Sequence, residues 1–173
     1  MSIASPAMRG LLVGLVSLWC SSAAFAVEQR SLFEAAPVEE WKEQEVVFPT
    51  YPAEADLQPL SFTTTSSARF LIDLKTLSKG ADEVIRYVMV VRTEGGAENV
   101  SYEGIRCETA ERRIYALGRQ GTWVAPRVSE WTRIIDNTFN RYPAVLAKEY
   151  FCPPGSILPT QEQILRALRR GGL

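Results

Sequence analysis

Five of the six arginines between residues 86 and 123, Arg86, Arg106, Arg112, Arg113 and Arg119, lie in or beside the predicted hairpins with the large aromatic residues Tyr102, Tyr115 and Trp123. A guanidinium is a planar fork of donors that grips a carboxylate or a phosphate through two parallel hydrogen bonds. An aromatic ring beside it adds a stacking surface, so the set suits an anionic small ligand or an anionic glycan. Arg86, Tyr102, Arg106 and Trp123 are the candidate ligand-binding residues. The same side chains have a plainer use. The arginines can pair with the neighbouring acids Glu103, Glu108 and Glu111, and the aromatic rings can fill a core, which is the commoner fate of both.

Catalytic chemistry is narrowed by one omission, since the chain has no histidine. The usual general base, the usual partner of a serine or cysteine nucleophile and the commonest zinc ligand are therefore missing. Ser-His-Asp triads and histidine-ligated zinc hydrolases are excluded. Glu103 with Glu149 or Asp73 would be the pair for a glycosidase, whose carboxyl groups stand about 5 to 9.5 Å apart. Sequence does not set that distance, so no catalytic residue is assigned. No metal and no cofactor is expected. Asn99-Val100-Ser101 has the form of a glycosylation sequon, a motif short enough to arise by chance.

The elements that must carry these residues begin at Phe70. Phe70 to Leu74 reads as a flanking strand, followed by a turn around Ser78-Lys79-Gly80. Val84 to Arg92 is dense in β-branched and aromatic residues and is the strongest strand in the chain. In it Ile85, Tyr87, Met89 and Val91 face one side, and Arg86, Val88, Val90 and Arg92 the other, so both faces should be covered. Glu94-Gly95-Gly96-Ala97 turns it into a second strand, Glu98 to Cys107, making a hairpin. Arg112 to Leu117, the turn Gly118-Arg119-Gln120-Gly121 and Thr122 to Val124 make another. Beyond Pro126, Val128, Trp131, Ile134 and Ile135 fall three and four apart, a helical spacing. Pro143 suits the first position of a helix running to about Phe151, stopped by Cys152-Pro153-Pro154-Gly155. Thr160 and Gln163 form a capping-box pattern ahead of the apolar stripe Ile164, Leu165 and Leu168, with Gly171 after the end. The fold class is α+β, an antiparallel sheet of two hairpins and a flanking strand with C-terminal helices.

The first 26 residues read as a secretory signal peptide: Arg9, the apolar run Leu11 to Trp19, and Ala24-Phe25-Ala26 as the cleavage site. The run is shorter than the roughly 18 to 20 residues a membrane span needs, so no span is expected in the mature form. Trp19 is too large to precede a lipid-modified Cys20. Cleavage after Ala26 removes 26 of the 173 residues and leaves 147, a common size for one domain. Residues 27–59 form an acidic, proline-containing extended arm, and residues 60–173 a single domain. Of 20 acidic and 19 basic residues, eight and two lie in the arm and Arg9 in the leader, leaving the domain twelve and sixteen. The balance carries no signature of nucleic-acid binding. Once Cys20 leaves with the leader, Cys107 and Cys152 remain as an even pair, expected to form a disulfide in an oxidising compartment.

Gly80-Ala81-Asp82, Arg86-Tyr87, the stretch Asn99 to Cys107 and Tyr150-Phe151-Cys152-Pro153 resemble the CNP-one-like family, exported proteobacterial proteins without an assigned activity. The likeness runs from about Trp41 to the C-terminus. It implies a periplasmic location in a bacterial envelope and a shared Cys107–Cys152 pairing, and it supplies no catalytic residue. The expected function is non-catalytic, a protein-binding or structural domain whose partner is an envelope protein. Binding of an anionic ligand or glycan is the alternative, and a carboxylate-based hydrolase comes third.

Overall fold

A computed structural model describes residues 40–61, 67–136, 141–155 and 158–171. The expected signal peptide and residues 27–39 of the expected arm lie outside them. Among the described residues eight strands form one antiparallel sheet: β1 (Leu57–Pro59), β2 (Arg69–Asp73), β3 (Ser78–Lys79), β4 (Val84–Arg92), β5 (Glu98–Arg106), β6 (Glu111–Arg119), β7 (Thr122–Val124) and β8 (Thr132–Arg133). Their order is β1-β2-β4-β5-β6-β7, with β3 also on β4 and β8 on β6.

The centre of the sheet follows from β4, whose alternation buries both faces. Ile85, Tyr87 and Met89 enter one core, Val88 and Val90 the other. Each such side chain removed from water contributes roughly 1.5–3 kcal/mol. The β4–β5 hairpin closes through Thr93 N–H to the Ala97 carbonyl (2.9 Å) and through Gly96, at φ 81°. The β6–β7 turn is tighter than the sequence predicts. Gly118 and Arg119 stay in β6, and only Gln120 and Gly121 turn, both at positive φ as a type I′ connection requires.

The first core is closed by helical segments: Val145, Leu146, Tyr150, Phe151, Ile164 and Leu168 pack with Ile72, Tyr87 and Met89. Arg141–Val145 is α1, and the chain continues to Phe151 in a wider π-helical turn, with Cys152 N–H bonded to the Ala147 carbonyl at 2.7 Å. Pro143 is the third residue of α1 as described. α2 is Gln161–Arg170. Thr160 and Gln163 cap it reciprocally, and Gly171 ends it in the left-handed conformation at φ 85°. Among the described residues no helix is long and apolar enough to cross a membrane.

Three further expectations are corrected. The spacing Val128, Trp131, Ile134, Ile135 does not make a helix. Val128 and Ile135 are exposed, while Thr132–Arg133 pairs as β8 with Glu111 and Arg112, a stretch of β6 that β7 does not reach. A strand bond already available there outweighs a short helix with its unfavourable nucleation. Ser78–Lys79, expected in a turn, pairs with Arg86 and Ile85. Leu57–Pro59, expected in the extended arm, is an edge strand on β2, the position where a proline is tolerated in a sheet.

Cys107, one residue past β5, is bonded to Cys152, one residue past the π-helical turn (S–S 2.07 Å, Cα–Cα 5.4 Å). The bond ties the sheet to the helical layer across a sequence separation of 45. In the chain-entropy account a loop of that length is worth roughly 4 kcal/mol. Guanidinium unfolding of the Cys107→Ser, Cys152→Ser double variant is expected to show a stability loss of about 2–4 kcal/mol. An unchanged midpoint would mean that the bond restrains nothing the packing does not already hold.

Candidate functional site

Register brings the chemistry-bearing residues together. On β4, β5 and β6 the residues Arg86, Gly104 and Arg113 stand side by side, and on the opposite face Tyr87 stands beside Glu103. A bulge between Tyr102 and Glu103 inserts Tyr115 as the extra residue of β6. Bulges re-aim side chains, and here Tyr115 and Ala116 both enter the second core. Gly104 makes room for the redirected ring, since a Cβ there would lie 2.5 Å from Tyr115 Oη.

Residues 41–44 lie against this row. The Glu43 carboxylate accepts from Tyr115 Oη (2.6 Å), from Arg113 Nη1 (2.6 Å) and from Trp131 Nε1 (3.2 Å), and Arg86 Nη2 is 3.5 Å away. Arg86 is itself buried and held by both oxygens of Asp82 (3.1 and 2.6 Å). Asp82 also accepts from the Gln44 amide at 2.9 Å, and Trp41 Nε1 donates to the Asp82 carbonyl at 3.0 Å. Burial opposes ionisation of Asp82, but its bonds to Arg86 and to the Gln44 amide outweigh that and hold its carboxyl below the ordinary range. The Tyr115 hydroxyl is pushed up, by burial first and by its bond to Glu43 second. Gly80 is required beside them, because a Cβ there would collide with Asp82 Oδ1 and Gln44 Oε1.

A second carboxylate sits under the helices. Glu103 is fully buried and accepts from Ser101 Oγ (2.5 Å), Tyr142 Oη (2.8 Å), Tyr87 Oη (2.8 Å) and, through two bonds of 2.7 Å, Arg112. Burial by itself would raise its pKa. The charge of Arg112 and the bonds from Arg112, Ser101 and Tyr87 overcome that and hold it below the ordinary carboxylate value.

Of the candidate ligand-binding residues, Tyr102 and Trp123 share an aromatic cluster, with ring centres 6.2 Å apart, and Tyr102 is buried. Trp123 Nε1 donates to the Pro49 carbonyl at 2.8 Å. Arg86 belongs to the Glu43 centre. Arg106 lies elsewhere, pairing with Glu108 at 2.6 Å with its guanidinium 4.0 Å over the Trp41 ring. It lines a cavity of about 130 Å³ with Trp41, Asp82, Cys107 and Leu158. For the imagined glycosidase pair, Glu103 has both oxygens engaged as above, Asp73 is buried and bonded to Thr76 Oγ1 (2.8 Å), and Glu149 is exposed. Among the described residues no group of acids and cysteines is arranged to hold a metal ion. Sequence reasoning missed Glu43 and Asp82. Asp82 had a signal, a carboxylate four residues before Arg86 and directly after Gly80-Ala81.

The family model for the CNP1-like family matches residues 36–169. The chain belongs to the CNP1-like family. Both carboxylate centres and the disulfide of this CNP1-like chain fall inside the matched range. It is also similar to Cryptic neisserial protein 1 of Neisseria gonorrhoeae, 28% identical over 118 residues. That match covers 60% of this chain and 58% of the relative. No solved structure matches.

Replacing Glu103 by Gln should cost about 3–5 kcal/mol in denaturant unfolding, because Arg112 keeps a buried charge without its counter-ion. The pH dependence has a definite sign. Glu103 has a folded pKa below its unfolded value of about 4.3, so its contribution is complete above pH 4.3 and is lost as pH falls through the folded value. The wild type should therefore lose stability more steeply in acid than the Gln variant. Parallel curves would show that Glu103 does not titrate with folding.

Proposed function

We propose that this CNP1-like protein is an exported envelope protein of the periplasm that acts by binding another protein, without catalysis. The signal-peptide pattern of residues 1–26 and the Cys107–Cys152 bond support export to an oxidising compartment. The observation that carries the non-catalytic reading is the closure of both carboxylate centres. Glu43 and Glu103 have their oxygens engaged by arginine, tyrosine, tryptophan and serine donors of the protein itself. Such groups set structure and are not poised to exchange protons with a substrate. Meanwhile Val47 and Phe48, adjacent on the chain, are 77% and 50% exposed. These two apolar side chains offer a small exposed surface that a partner protein could cover.

A second reading rests on Arg106. Its Nε is buried without a hydrogen-bond partner among the described residues, and the side chain lines the cavity beside Trp41. A small anion there would complete the guanidinium's bonding.

Intact mass of the protein taken from its native compartment, without reductant, tests the first reading. The denatured mass is expected to equal that of residues 27–173 less two hydrogens, and the native spectrum to show one partner protein at fixed stoichiometry. A small anionic adduct lost in an Arg106→Gln variant would favour the second reading. Hydrolysis of a cell-wall substrate, abolished by neutralising one carboxylate, would overturn both.

A further inference from the structure

The Glu43 centre has the form of a receptor with its ligand supplied by the same chain. Its donors come from three places on the sheet and its margin: Arg86 on β4, Tyr115 and Arg113 on β6, and Trp131 just before β8. Most of them are held by something other than Glu43. Asp82 grips Arg86 through two bonds, Arg113 Nε donates to Ser129 Oγ at 3.2 Å, and Ser129 in turn donates to the Ile114 carbonyl at 2.8 Å. The Tyr115 ring is fixed over Gly104 and against Tyr102, 5.4 Å between centres. A cluster of positive and neutral donors held in place this way is pre-organised for a carboxylate, whichever chain provides it.

The occupant is attached differently. Residues 40–53 belong to no strand or helix. They are held by the Glu43 carboxylate, the Trp41 indole and the Gln44 amide on Asp82, the Gln44 side chain accepting from Ala81 N–H at 3.1 Å, the Pro49 carbonyl, and the packing of Val46 and Tyr51 against the second core. Because no strand ladder holds this segment, its release breaks no backbone pairing of the sheet. Charge also favours an acidic occupant, since residues 27–59 carry eight acids against two bases, whereas residues 60–173 carry sixteen bases against twelve acids.

We propose that this face is a binding site for an extended acidic peptide of a partner protein, and that residues 40–53 act as a displaceable strap that keeps it closed. The peptide it fits carries a carboxylate two residues after an indole, the spacing of Trp41 and Glu43 that seats both groups here. The proposal rests on the protein-binding reading above and names its site. Because the strap competes in cis, the apparent affinity for an incoming peptide is reduced by the fraction of molecules in which the strap is open. Weakening the strap must therefore strengthen binding in trans.

The test is titration of a fluorescent synthetic peptide of residues 40–50 against the full mature chain, read by anisotropy, with folding checked by circular dichroism. Glu43→Gln keeps the shape of the strap but turns charge-assisted bonds into neutral ones, and it should raise peptide affinity about tenfold or more over wild type. Trp41→Phe, which loses the indole bond to Asp82 and shrinks the ring beneath the Arg106 guanidinium and beside Trp131, should raise it in the same direction and serves if the first variant misfolds. Adding Arg113→Gln to either variant should remove the gain. Equal or weaker binding in the strap variants overturns the proposal, as does a gain that survives Arg113→Gln. A partner that is recovered from cells in equal amount with wild type and Glu43→Gln would leave the protein-binding reading standing and overturn this site.

Discussion

A carboxylate inside a packed face of a sheet must be bonded on every side, and Glu103 is the group on which this structure turns. Removing such a charge from water costs several kcal/mol that only close, well-aligned donors offset. Here they come from four directions: Tyr87 on β4, Ser101 on β5, Arg112 on β6 and Tyr142 on α1. Three adjacent strands and the first helix thus meet at one group. Hydrophobic burial alone would accept many dockings of helix on sheet, because apolar contact is non-directional. The Tyr142 hydroxyl must reach Glu103, and the disulfide fixes the far end of the same helical run. Those two constraints select one placement.

The opposite face is organised by the same chemistry with a different boundary. There the carboxylate is Glu43, carried on a segment without regular structure, and of its partners Arg113 and Trp131 are only part-buried while Tyr115 is buried. The arginine beneath them, Arg86, is the deeply buried member and has a carboxylate of its own in Asp82. An arginine already neutralised by one acid can lose a second without being left as an unpaired buried charge. Among the described residues Arg112 has no such reserve beside Glu103. The two centres therefore differ in what they can do. One is locked by the cost of opening it, and the other can open because Asp82 stays behind.

Much of this was legible in the residues. The hairpin on either side of Gly95-Gly96, the two-faced alternation of β4, the capping box at Thr160 and the cysteine pair all rest on short-range chemistry or simple counting, and the structure has each of them. What sequence concealed was long-range. Glu43 meets Arg113 and Tyr115 across about seventy residues, and no local pattern marks one acid of an acidic arm as the bonded one. The apolar spacing at Val128 to Ile135 misled because Trp131 and Ile134 pack on opposite cores of the sheet rather than along one helix face, with Thr132 held between them in a strand. The arginines were rightly seen as forks for carboxylates. Two of the carboxylates they grip, Asp82 and Glu43, lay outside the acids considered as their neighbours.

The bulge at Tyr102/Glu103 links the two centres more tightly than their separation by a sheet suggests. Arg112 and Arg113 are consecutive, as are Glu103 and Gly104, so one member of each pair serves each face. A slip of one residue between β5 and β6 would turn Arg113 toward the helices and Arg112 toward the arm, and the glycine that admits Tyr115 would no longer lie beneath it. In the slipped register each carboxylate would face the wrong arginine, and the bonds from Tyr115 to Glu43 and from Arg112 to Glu103 would be lost. The register of the central strands is thus specified twice, once by a bond set that closes the core and once by a bond set that receives the arm. A sheet held this way can present a pre-organised row of donors at its surface even when the segment that covers them is not in place.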